Sequence, residues 1–374
     1  MACPIAQISC WIAPALSEDI GDLKRPVGFL VDKSSSPGGK VTRNNSQASV
    51  DVPLFPGKYV SVGRNHHESE ISINHPNVSR HHFIIYSIIH NLDDVHNQSP
   101  MVYVRDRKSL EGTYVDGKCI GKKEKGESVG YYLCNDTEIS IKPYWRFRVS
   151  FPNYNGLNTP LNAIQFRESS LFDDRYFITE RKLGTGSFAC IRLAINVKTG
   201  SQLACKIHDL DQLRKSPNSR DLIRRIMNET DILGKLRHPN LPIFEYAIRS
   251  KHTLYTFTEL ATGGDLFSMR QARGVFVEKD CKFIIQQVVN AIRYLHKGGI
   301  AHRDLKPENI LFATGPEAMS RVILSDMGLA KSTASGRMAS TVGTPDYMAP
   351  SVRFTHLPEC LLNVLQGNRT WSNA

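Results

Sequence analysis

The sequence predicts a multidomain protein in which an all-β sandwich precedes an α+β domain, and three observations indicate this fold class. The chain has 374 residues, well above the roughly 150 residues of an average domain. Short segments of alternating apolar and polar residues, bounded by turn residues, recur between Tyr59 and Phe151. After residue 176 the pattern changes to strands followed by segments of helical periodicity. We therefore expect two globular units.

The composition excludes several classes of protein. Hydrophobic residues make up 41% and charged residues 22% of the chain, so it is not disordered throughout. No apolar run reaches the roughly 18 residues of a membrane-spanning helix, and no membrane association is expected. The net charge of +11 favours anionic partners such as phosphorylated peptides, nucleotides or nucleic acid. The eight cysteines form no CxxC pair, and free thiols in a reducing compartment are expected.

Composition shifts divide the chain into segments. Residues 1–57 predict a flexible N-terminal segment, because the stretch from residue 34 onward is rich in Ser, Gly, Asn and Pro without periodicity. The β-sandwich is expected over residues 58–152, and a linker is expected over 153–175. Residues 176–351 predict the α+β domain, which leaves 352–374 as a tail.

The first part of the α+β region contains a glycine-rich turn and two awkward charges. Residues 176–210 predict three strands joined by glycine-containing turns. Gly184 and Gly186 lie in the first turn, where bare backbone can approach a phosphate and donate N–H groups to it; a hairpin without a ligand is the alternative. Lys206 falls in an apolar strand, where an unpaired ammonium is costly, and Glu229 falls on an otherwise apolar helical face. We expect the two to pair, either beside a nucleotide or as an ordinary buried ion pair.

Two more specific motifs follow. The sequence HRDLKPEN spans residues 302–309 after a predicted helix over 282–296, and Asp326-Met-Gly328 follows the apolar strand VILS. With the glycine-rich turn, strand lysine and helix glutamate in this order, residues 176 to about 350 resemble the eukaryotic protein kinases. The resemblance implies a bilobal α+β fold. The tail matches none of the helices that should follow Ser351, so the C-terminal lobe is expected to be incomplete, as in a truncated gene model.

The resemblance also implies roles for individual residues. Lys206 would orient the α and β phosphates of ATP and be held by Glu229. Asp304 would receive the proton of the substrate hydroxyl, and Lys306, typical of Ser/Thr kinases, would contact the γ-phosphate. The residues implied to bind two Mg²⁺ ions are Asn309 and Asp326. The residues implied to surround ATP are Gly184, Gly186, Ala189, Ile191, Ala204, Lys206, Glu259 and Ala261.

Substrate preference and activation are also suggested by the resemblance. Asp265 and Glu308 lie where many kinases bind an arginine of the substrate, so a preference for R-x-x-S/T sites is expected; solvated surface carboxylates are the alternative. Ser340 and Thr341 lie in a Ser/Thr-rich segment similar to activation segments. Phosphate on either could pair with Arg303 and order that segment, and a merely polar loop is the alternative.

The β-rich region carries three spaced motifs, Gly63-Arg64, SRHH over residues 79–82 and EGTYVDG over residues 111–117. It resembles the forkhead-associated (FHA) domain, a β-sandwich that binds phosphothreonine through its loops. The residues implied to hold the phosphate are Arg64, Ser79 and Arg80, and those implied to support the loops are His82 and Gly112. Glu111 departs from the family, which usually has an Asn there, and Thr113 is expected at the surface. The local histidines lack metal-ligand spacing.

An FHA domain followed by a Ser/Thr kinase resembles the checkpoint effector kinases of DNA-damage signalling, and most closely their fungal meiosis-specific members. The expected partners are a phosphothreonine-containing protein and protein substrates, and transient homodimerisation is compatible with this architecture. Residence in the nucleus follows from the resemblance, with the cytoplasm left open. No motif for direct nucleic-acid binding is present. The alternative is a phosphopeptide-binding adaptor that carries an inactive kinase remnant.

Overall fold

The computed structural model describes residues 4–12, 29–31, 40–44, 47–88, 101–126, 128–151, 159–185, 189–315 and 320–332. The chain forms two compact units, residues 1–156 with 314–316 and residues 157–313 with 317–374. In the described ranges, no helix is long and apolar enough to cross a membrane. The cysteines with free thiols in these ranges are Cys10, Cys119, Cys134, Cys190, Cys205 and Cys281.

The first unit consists of two β-sheets that enclose an apolar core, as the alternating segments predict. One sheet has the strand order β10-β9-β12-β13-β1-β4-β3, and the other has the order β11-β8-β7-β5-β6-β2. The largest buried side chains between them include Trp145, Phe83 and Phe147, the last two with ring centroids 5.0 Å apart. The strands are β1 (Ala6–Ile12), β2 (Phe29–Val31), β3 (Lys40–Asn44), β4 (Gln47–Leu54), β5 (Tyr59–Gly63), β6 (Ile71–Ile73), β7 (Phe83–Ile88), β8 (Met101–Asp106), β9 (Thr113–Val115), β10 (Lys118–Gly121), β11 (Tyr131–Tyr132), β12 (Thr137–Ile141) and β13 (Trp145–Ser150).

The N-terminal region departs from its predicted flexibility. Strand β1 pairs antiparallel with β13 on one side and with β4 on the other, with Gln7 opposite Ser150 and Pro53. Ile8 and Cys10 are completely buried in the sandwich core. The prediction of a flexible segment over 1–57 is therefore wrong for these strands. Local composition could not reveal them, because β1 is stabilised by a strand near residue 150 rather than by its own neighbours.

The second unit begins with an antiparallel sheet of order β14-β15-β16-β18-β17, followed by helices. The three strands predicted over 176–210 and the two predicted helices are present. The strands are β14 (Tyr176–Thr185), β15 (Ala189–Asn196), β16 (Gln202–Asp209), β17 (Phe244–Arg249), β18 (Thr253–Glu259), β19 (Ile300–Ala301), β20 (Ile310–Phe312), β21 (Val322–Leu324) and β22 (Lys331–Ser332). The helices are α1 (Ala163–Glu168), α2 (Leu210–Arg214), α3 (Ser219–Lys235), α4 (Leu266–Arg273) and α5 (Glu278–Lys297).

Helix α5 contributes to a second apolar core, which also contains residues of α3, α4, β20 and β21. Its fully buried residues are Cys281, Ile284, Val288, Ala291 and Leu295. The neighbouring apolar residues Ile285, Val289 and Ile292 are only partly buried. The fully buried stripe is therefore narrower than the apolar face of the helix, and its small Cys and Ala side chains allow close packing.

The second half of the predicted linker is part of this unit. Helix α1 and a 3₁₀ turn over Ser169–Leu171 precede β14. Phe172 is completely buried among the rings of Tyr255 and Phe257, with centroids 5.0 and 5.5 Å away. A free linker over 153–175 is therefore a wrong prediction for residues 159–175, because an aromatic side chain in this stretch completes the sheet core.

Candidate functional site

Strand register places the glycine-rich turn beside Lys206, whose side chain is partly buried. Gly184 of β14 lies opposite Ile191 of β15, Ile191 lies opposite Lys206 of β16, and Lys206 lies opposite Thr256 of β18. A methyl group built at Gly184 would touch no heavy atom within 4 Å. Protein packing therefore does not account for the glycine, and open space remains beside it for a ligand. Residue 186 lies outside the described residues.

Two further sequence-predicted residues lie on this surface. Ala204 is two positions before Lys206, so their side chains point to the same face of β16, and Ala204 pairs with Thr258 at the end of β18. Ala189 pairs with His208 at the start of β15. The predicted nucleotide contacts on these strands thus form a continuous surface.

Lys206 and Glu229 form a close ion pair. The Nζ atom lies 2.7 Å from Oε1, and the Glu229 side chain is only 7% exposed. Burial on its own lowers the pKa of Lys206, but the carboxylates of Glu229 and Asp326 outweigh it and raise the pKa above its usual value. Lys206 is therefore a charged ammonium at neutral pH, and the predicted pairing with Glu229 is observed.

The Asp326-Met-Gly328 turn lies against the same pair. A methyl group at Gly328 would be 3.1 Å from Asp326 Oδ1 and 3.5 Å from Glu229 Oε2. Asp326 adopts a left-handed conformation with φ of 61°, and its Oδ1 accepts a hydrogen bond from Gly328 N at 3.2 Å. Met327 is 1% exposed and packs in the core with α5. The methionine thus anchors the turn while the neighbouring carboxylate stays exposed.

The HRDLKPEN motif over residues 302–309 places polar side chains around Asp304. The carboxylate is 8% exposed. Asn309 Nδ2 donates to Asp304 O at 2.8 Å and to Oδ2 at 3.0 Å, and Lys306 Nζ lies 3.1 Å from Oδ2. Two donors therefore hold the carboxylate in one orientation.

His302 joins this loop to the segment before Asp326. Its Nδ1 accepts from Asp304 N at 3.3 Å, so its Nε2 carries the proton and donates to Ser325 O at 3.0 Å. Burial lowers the pKa of His302, which keeps the ring neutral with these two roles. Ser325 N also donates to Asn309 O at 2.8 Å. Sequence reasoning did not assign His302 a role; its place two residues before Asp304 is the signal that could have suggested one.

The segment after β18 offers main-chain groups to a ligand. Glu259 N donates to Ile243 O at 3.0 Å, and the Glu259 carboxylate accepts from Ile243 N at 2.8 Å and from Arg321. Ala261 makes no main-chain hydrogen bond within the described ranges. An unpaired donor and acceptor there suit the edge of a purine base, so the residues present fit the nucleotide that the resemblance implies.

The residues predicted to bind metal supply oxygen ligands only. An Asp carboxylate and an Asn carboxamide suit a hard cation such as Mg²⁺, which usually takes one or two protein groups and completes its shell with phosphate and water. In the described part of the chain, no cluster of three or more His, Cys, Asp or Glu could hold a metal alone. Asn309 and Asp326 therefore fit Mg²⁺ bound together with a polyphosphate.

The two carboxylates predicted to contact the substrate, Asp265 and Glu308, have different environments. Asp265 is the N-cap of α4, where its Oδ1 and Oδ2 accept from Ser268 N and Oγ at 2.7 and 2.8 Å. Glu308 is exposed. Helix capping thus occupies the first carboxylate, and the second remains at the surface. The predicted phosphorylation sites Ser340 and Thr341 lie outside the described residues.

In the first unit, the loops that carry Arg64 and Ser79 are bonded along their main chains. Arg64 N donates to Ser79 O at 2.9 Å, and Asn65 N donates to Arg80 O at 3.2 Å. A methyl group at Gly63 would overlap the carbonyl of Arg80 and come within 2.9 Å of Ser69 Oγ. Glycine is therefore required for the loops to meet. The guanidinium groups of Arg64 and Arg80 are exposed, as a phosphate site requires.

His82 ties these loops to a third one. Its Nδ1 accepts from Ser79 N at 3.1 Å, and its Nε2 lies 3.2 Å from Gly112 O. Leu110 N also donates to Ser79 Oγ at 2.9 Å. Burial lowers the pKa of His82, so a neutral ring bridges the two loops. The supporting positions predicted for His82 and Gly112 match this geometry.

The third loop depends on a carboxylate that sequence reasoning missed. Asp106 accepts from Ser109 N at 2.9 Å and from Thr113 Oγ1 at 2.6 Å, and Ser109 Oγ accepts from Gly112 N at 3.0 Å. Thr113 is completely buried, so its predicted surface position is wrong. The spacing D-x-x-S-x-x-x-T from residue 106 is the signal that could have revealed this network.

Comparison with known proteins gives matches over both units. The protein kinase domain model matches residues 177–356, and the FHA domain model matches residues 60–129. The chain belongs to the FHA-domain protein kinases. This outcome confirms the family predicted from the motifs, and the FHA sandwich followed by a kinase domain confirms the predicted fold class.

Several relatives share both parts of the chain. The meiosis-specific serine/threonine-protein kinase mek1 of Schizosaccharomyces pombe is 34% identical over 82% of this chain and 64% of its own length. The meiosis-specific kinase MEK1 of Saccharomyces cerevisiae is 32% identical over 81% and 61%. The probable serine/threonine-protein kinase fhkC of Dictyostelium discoideum is 32% identical over 78% and 46%. The chain thus spans less than two thirds of each relative's length.

Among solved structures, Rad53 residues 1–466 in complex with AMP-PNP are similar to this chain. The identity is 23% and the TM-score 0.42, with 97% of this chain and 83% of that chain covered.

Proposed function

We propose that the chain is an ATP-dependent serine/threonine protein kinase recruited through a phosphothreonine-binding FHA domain. One observation carries the catalytic part: Lys206, Glu229 and Asp326 interact electrostatically around one turn, and the neighbouring loop holds Asp304 with Asn309. Phosphoryl transfer needs this arrangement, because its catalysis consists mainly of positioning and charge stabilisation.

Each side chain has one task in this proposal. ATP supplies the phosphoryl group, and Mg²⁺ held by Asn309 and Asp326 neutralises its charge when bound. Lys206 binds phosphate oxygens, and Glu229 prevents its ammonium from swinging away. Asp304 receives the proton of the substrate hydroxyl at a carboxylate oxygen. Its neighbour Lys306 donates to the transferred phosphoryl group once the substrate is in place.

The loops of the first unit support the recruitment step. Arg64 presents a planar guanidinium that matches a phosphate dianion, and Arg80 adds a second cation. Ser79 is fixed by hydrogen bonds from Leu110 and to His82, so the phosphate meets a preorganised surface. The partner is therefore a protein that carries phosphothreonine, whose docking raises the local concentration of kinase.

The biological setting is proposed from the relatives. The similarity to meiosis-specific kinases of two yeasts supports a role in meiotic checkpoint signalling in the nucleus. The exposed Glu308 supports a preference for an arginine upstream of the phosphorylated residue, because the substrate guanidinium needs an anion that stays free in the folded protein. Ser340 and Thr341 are proposed as activating phosphorylation sites.

The full chain tests both halves at once. Radiolabelled ATP with peptides that differ only in Arg or Ala three residues before Ser measures transfer and preference, with Lys206→Met as the inactive control. Binding of a phosphothreonine peptide and its unphosphorylated counterpart is measured in parallel, with Arg64→Ala as control. Peptide binding without any phosphate transfer would support the adaptor alternative and refute the kinase.

A further inference from the structure

Residues 159–175, which we call the strap, lie on the face of the kinase sheet opposite Lys206. Phe172 belongs to the same buried cluster as Cys205 and Ile207, the two neighbours of Lys206 on β16. Since side chains alternate along a strand, the strap and the ammonium occupy opposite faces. The strap therefore supports the strand that carries Lys206 from behind.

The strap is held mainly near its two ends and by the buried ring of Phe172. Tyr255 OH donates to Glu168 Oε2 at 2.9 Å, and burial with this bond raises the pKa of Tyr255. The guanidinium of Arg192 donates to Thr159 O and Pro160 O at the other end. Between these anchors, α1 buries none of its residues. Helix α1 therefore opens locally at low cost, because few apolar contacts are broken within it, whereas the fully buried Phe172 is the main apolar anchor of the strap.

Ser170 is an exposed serine at the C-terminal end of this short helix. Its Oγ donates to Arg167 O at 3.0 Å, which satisfies one of the carbonyl groups at the helix end. A phosphate on Ser170 would remove this donor and place a dianion at the negative end of the helix dipole. Glu168, Asp173 and Asp174 would repel it. Of the two arginines in this stretch, Arg175 already lies 3.5 Å from Asp174, and Arg167 is the other nearby cation. Phosphate at this position therefore weakens the strap.

We propose that Ser170 is a phosphorylation site that this kinase modifies on a second copy of itself, and that the phosphate releases the strap from the sheet. The first step rests on the proposed function, and Arg167 supplies the arginine at the third position upstream. Ser170 Oγ forms a bond to the γ-phosphorus of ATP, whose bond to the β–γ bridging oxygen breaks. The hydroxyl proton passes to Asp304 of the copy that acts as enzyme, and ADP leaves.

The modification is assigned to a second copy because the strap is anchored behind the sheet, on the face away from Lys206. Release would free Glu168 from Tyr255 and loosen the packing of Phe172. The strand between Cys205 and Ile207 would then lose support, and affinity for ATP would fall. Phosphorylation of the strap thus lowers the activity of the kinase.

The transfer step is tested with full-length active chain mixed with a distinguishable Lys206→Met copy. We expect mass spectrometry to detect phosphate on Ser170 of the inactive copy, and less of it when that copy also carries Arg167→Ala. An enzyme that phosphorylates peptides but leaves Ser170 unmodified overturns this step while the proposed function stands. A chain without transfer to any substrate overturns both.

The release step is tested without kinase activity. Phosphoserine is inserted at position 170 by genetic encoding, and at the exposed Ser201 of the β15–β16 turn as a matched control. With phosphate at 170, we expect amide exchange in 159–175 to accelerate about tenfold, because helix-end repulsion destabilises the closed strap. Phosphate at 201 should have no such effect. Unchanged or slower exchange at 159–175 overturns the release.

Discussion

The ammonium of Lys206 lies 2.7 Å from Glu229 Oε1, nearly the same separation as the 2.6 Å between Lys282 and Glu278 on the surface of α5. The two pairs differ in their surroundings. The side chains of the surface pair are 74% and 69% exposed, whereas those of Lys206 and Glu229 are 30% and 7% exposed. Exposed pairs of this kind contribute little, but loss of one partner of a buried pair leaves an uncompensated charge.

We expect Glu229→Gln to reduce phosphoryl transfer about a hundredfold, because a displaced Lys206 no longer meets the phosphates and misplacement near 1 Å has this cost. Steady-state kinetics with a peptide substrate measure the effect. Glu278→Gln, the matched change in the exposed pair, should leave the rate unchanged. Equal rates for the two variants would show that the buried pair has no catalytic importance.

Asp304→Asn should lower kcat by about 10²–10⁴, the usual contribution of a positioned general base. The amide keeps the size of the carboxylate but cannot accept the substrate proton. Affinity for ATP, measured by calorimetry, should stay close to that of the parent, because Asp304 is not among the predicted nucleotide contacts. A variant that retains most of its kcat would rule out the proposed proton acceptor.

The stability of the second unit should fall in acid because of His208. This side chain is 4% exposed, and its Nδ1 has no hydrogen-bond partner in the described residues. Burial, followed by the charge of Lys206, lowers the pKa of His208 to about 3, with Asp326 opposing. The unfolded chain, with a pKa near 6.5, therefore binds a proton that the folded protein does not. Stability is complete above pH 6.5 and declines as the pH falls toward 3.

His208→Leu should remove this decline, which amounts to about 2 kcal/mol between pH 7 and pH 5. Hydrogen-exchange protection of β16 at the two pH values measures it, after correction for intrinsic exchange rates. The exposed His296 provides the control, because His296→Leu should preserve the acid sensitivity. The same loss of protection in parent and His208→Leu would exclude His208 as its source.

Gly63→Ala should destabilise the FHA domain by about 1–3 kcal/mol, the usual cost of overpacking. The added methyl group meets the main-chain carbonyl of Arg80, which cannot move without separating the loops of Arg64 and Ser79. The unfolding temperature of the domain and its affinity for a phosphopeptide should both fall. Gly117→Ala is the comparison variant, because its methyl group meets no neighbour. The positive φ of 80° at Gly117 strains any side chain, so this variant reports the cost of backbone strain without a steric clash.

Glu111→Gln should strengthen phosphothreonine binding about three- to tenfold, and the gain should shrink as salt is added, because a negative charge beside the phosphate site repels the ligand. Fluorescence polarisation of a labelled phosphopeptide measures this. Glu124→Gln removes a charge from the exposed 3₁₀ turn over Lys123–Lys125 and serves as the control. Equal gains for both variants would indicate an effect of net charge alone.

The features that could be predicted from the sequence are those carried by residues close together in the chain. The HRDLKPEN segment brings Asp304 and Asn309 into contact within six positions. Glu229 stands out in the sequence because it is the one carboxylate in an otherwise apolar helical stripe. Their strand partner Lys206 could be paired with Glu229 because each charge lacked any other local explanation. These inferences required no knowledge of the tertiary packing.

The features that escaped prediction depend on distant partners. Phe172 stands in a polar stretch that resembles a linker, yet it fills a gap among aromatic residues more than eighty positions later. Asp265 could not be identified as a helix cap because the same residue type suits a substrate contact. The residue type of Thr113 suits the surface, and nothing near it in the sequence indicates the hydrogen bond to the buried Asp106.

Strand β1 also has a practical consequence for recombinant work on the FHA domain. The FHA family model begins at residue 60, which invites truncation near that point. Such a fragment would lack the strand that pairs with Trp145–Ser150. The main-chain groups of this strand would then form an unpaired sheet edge, with apolar side chains beneath it. Edges of this kind recruit other chains, so truncated FHA preparations should aggregate, whereas those starting before Ala6 should stay monodisperse.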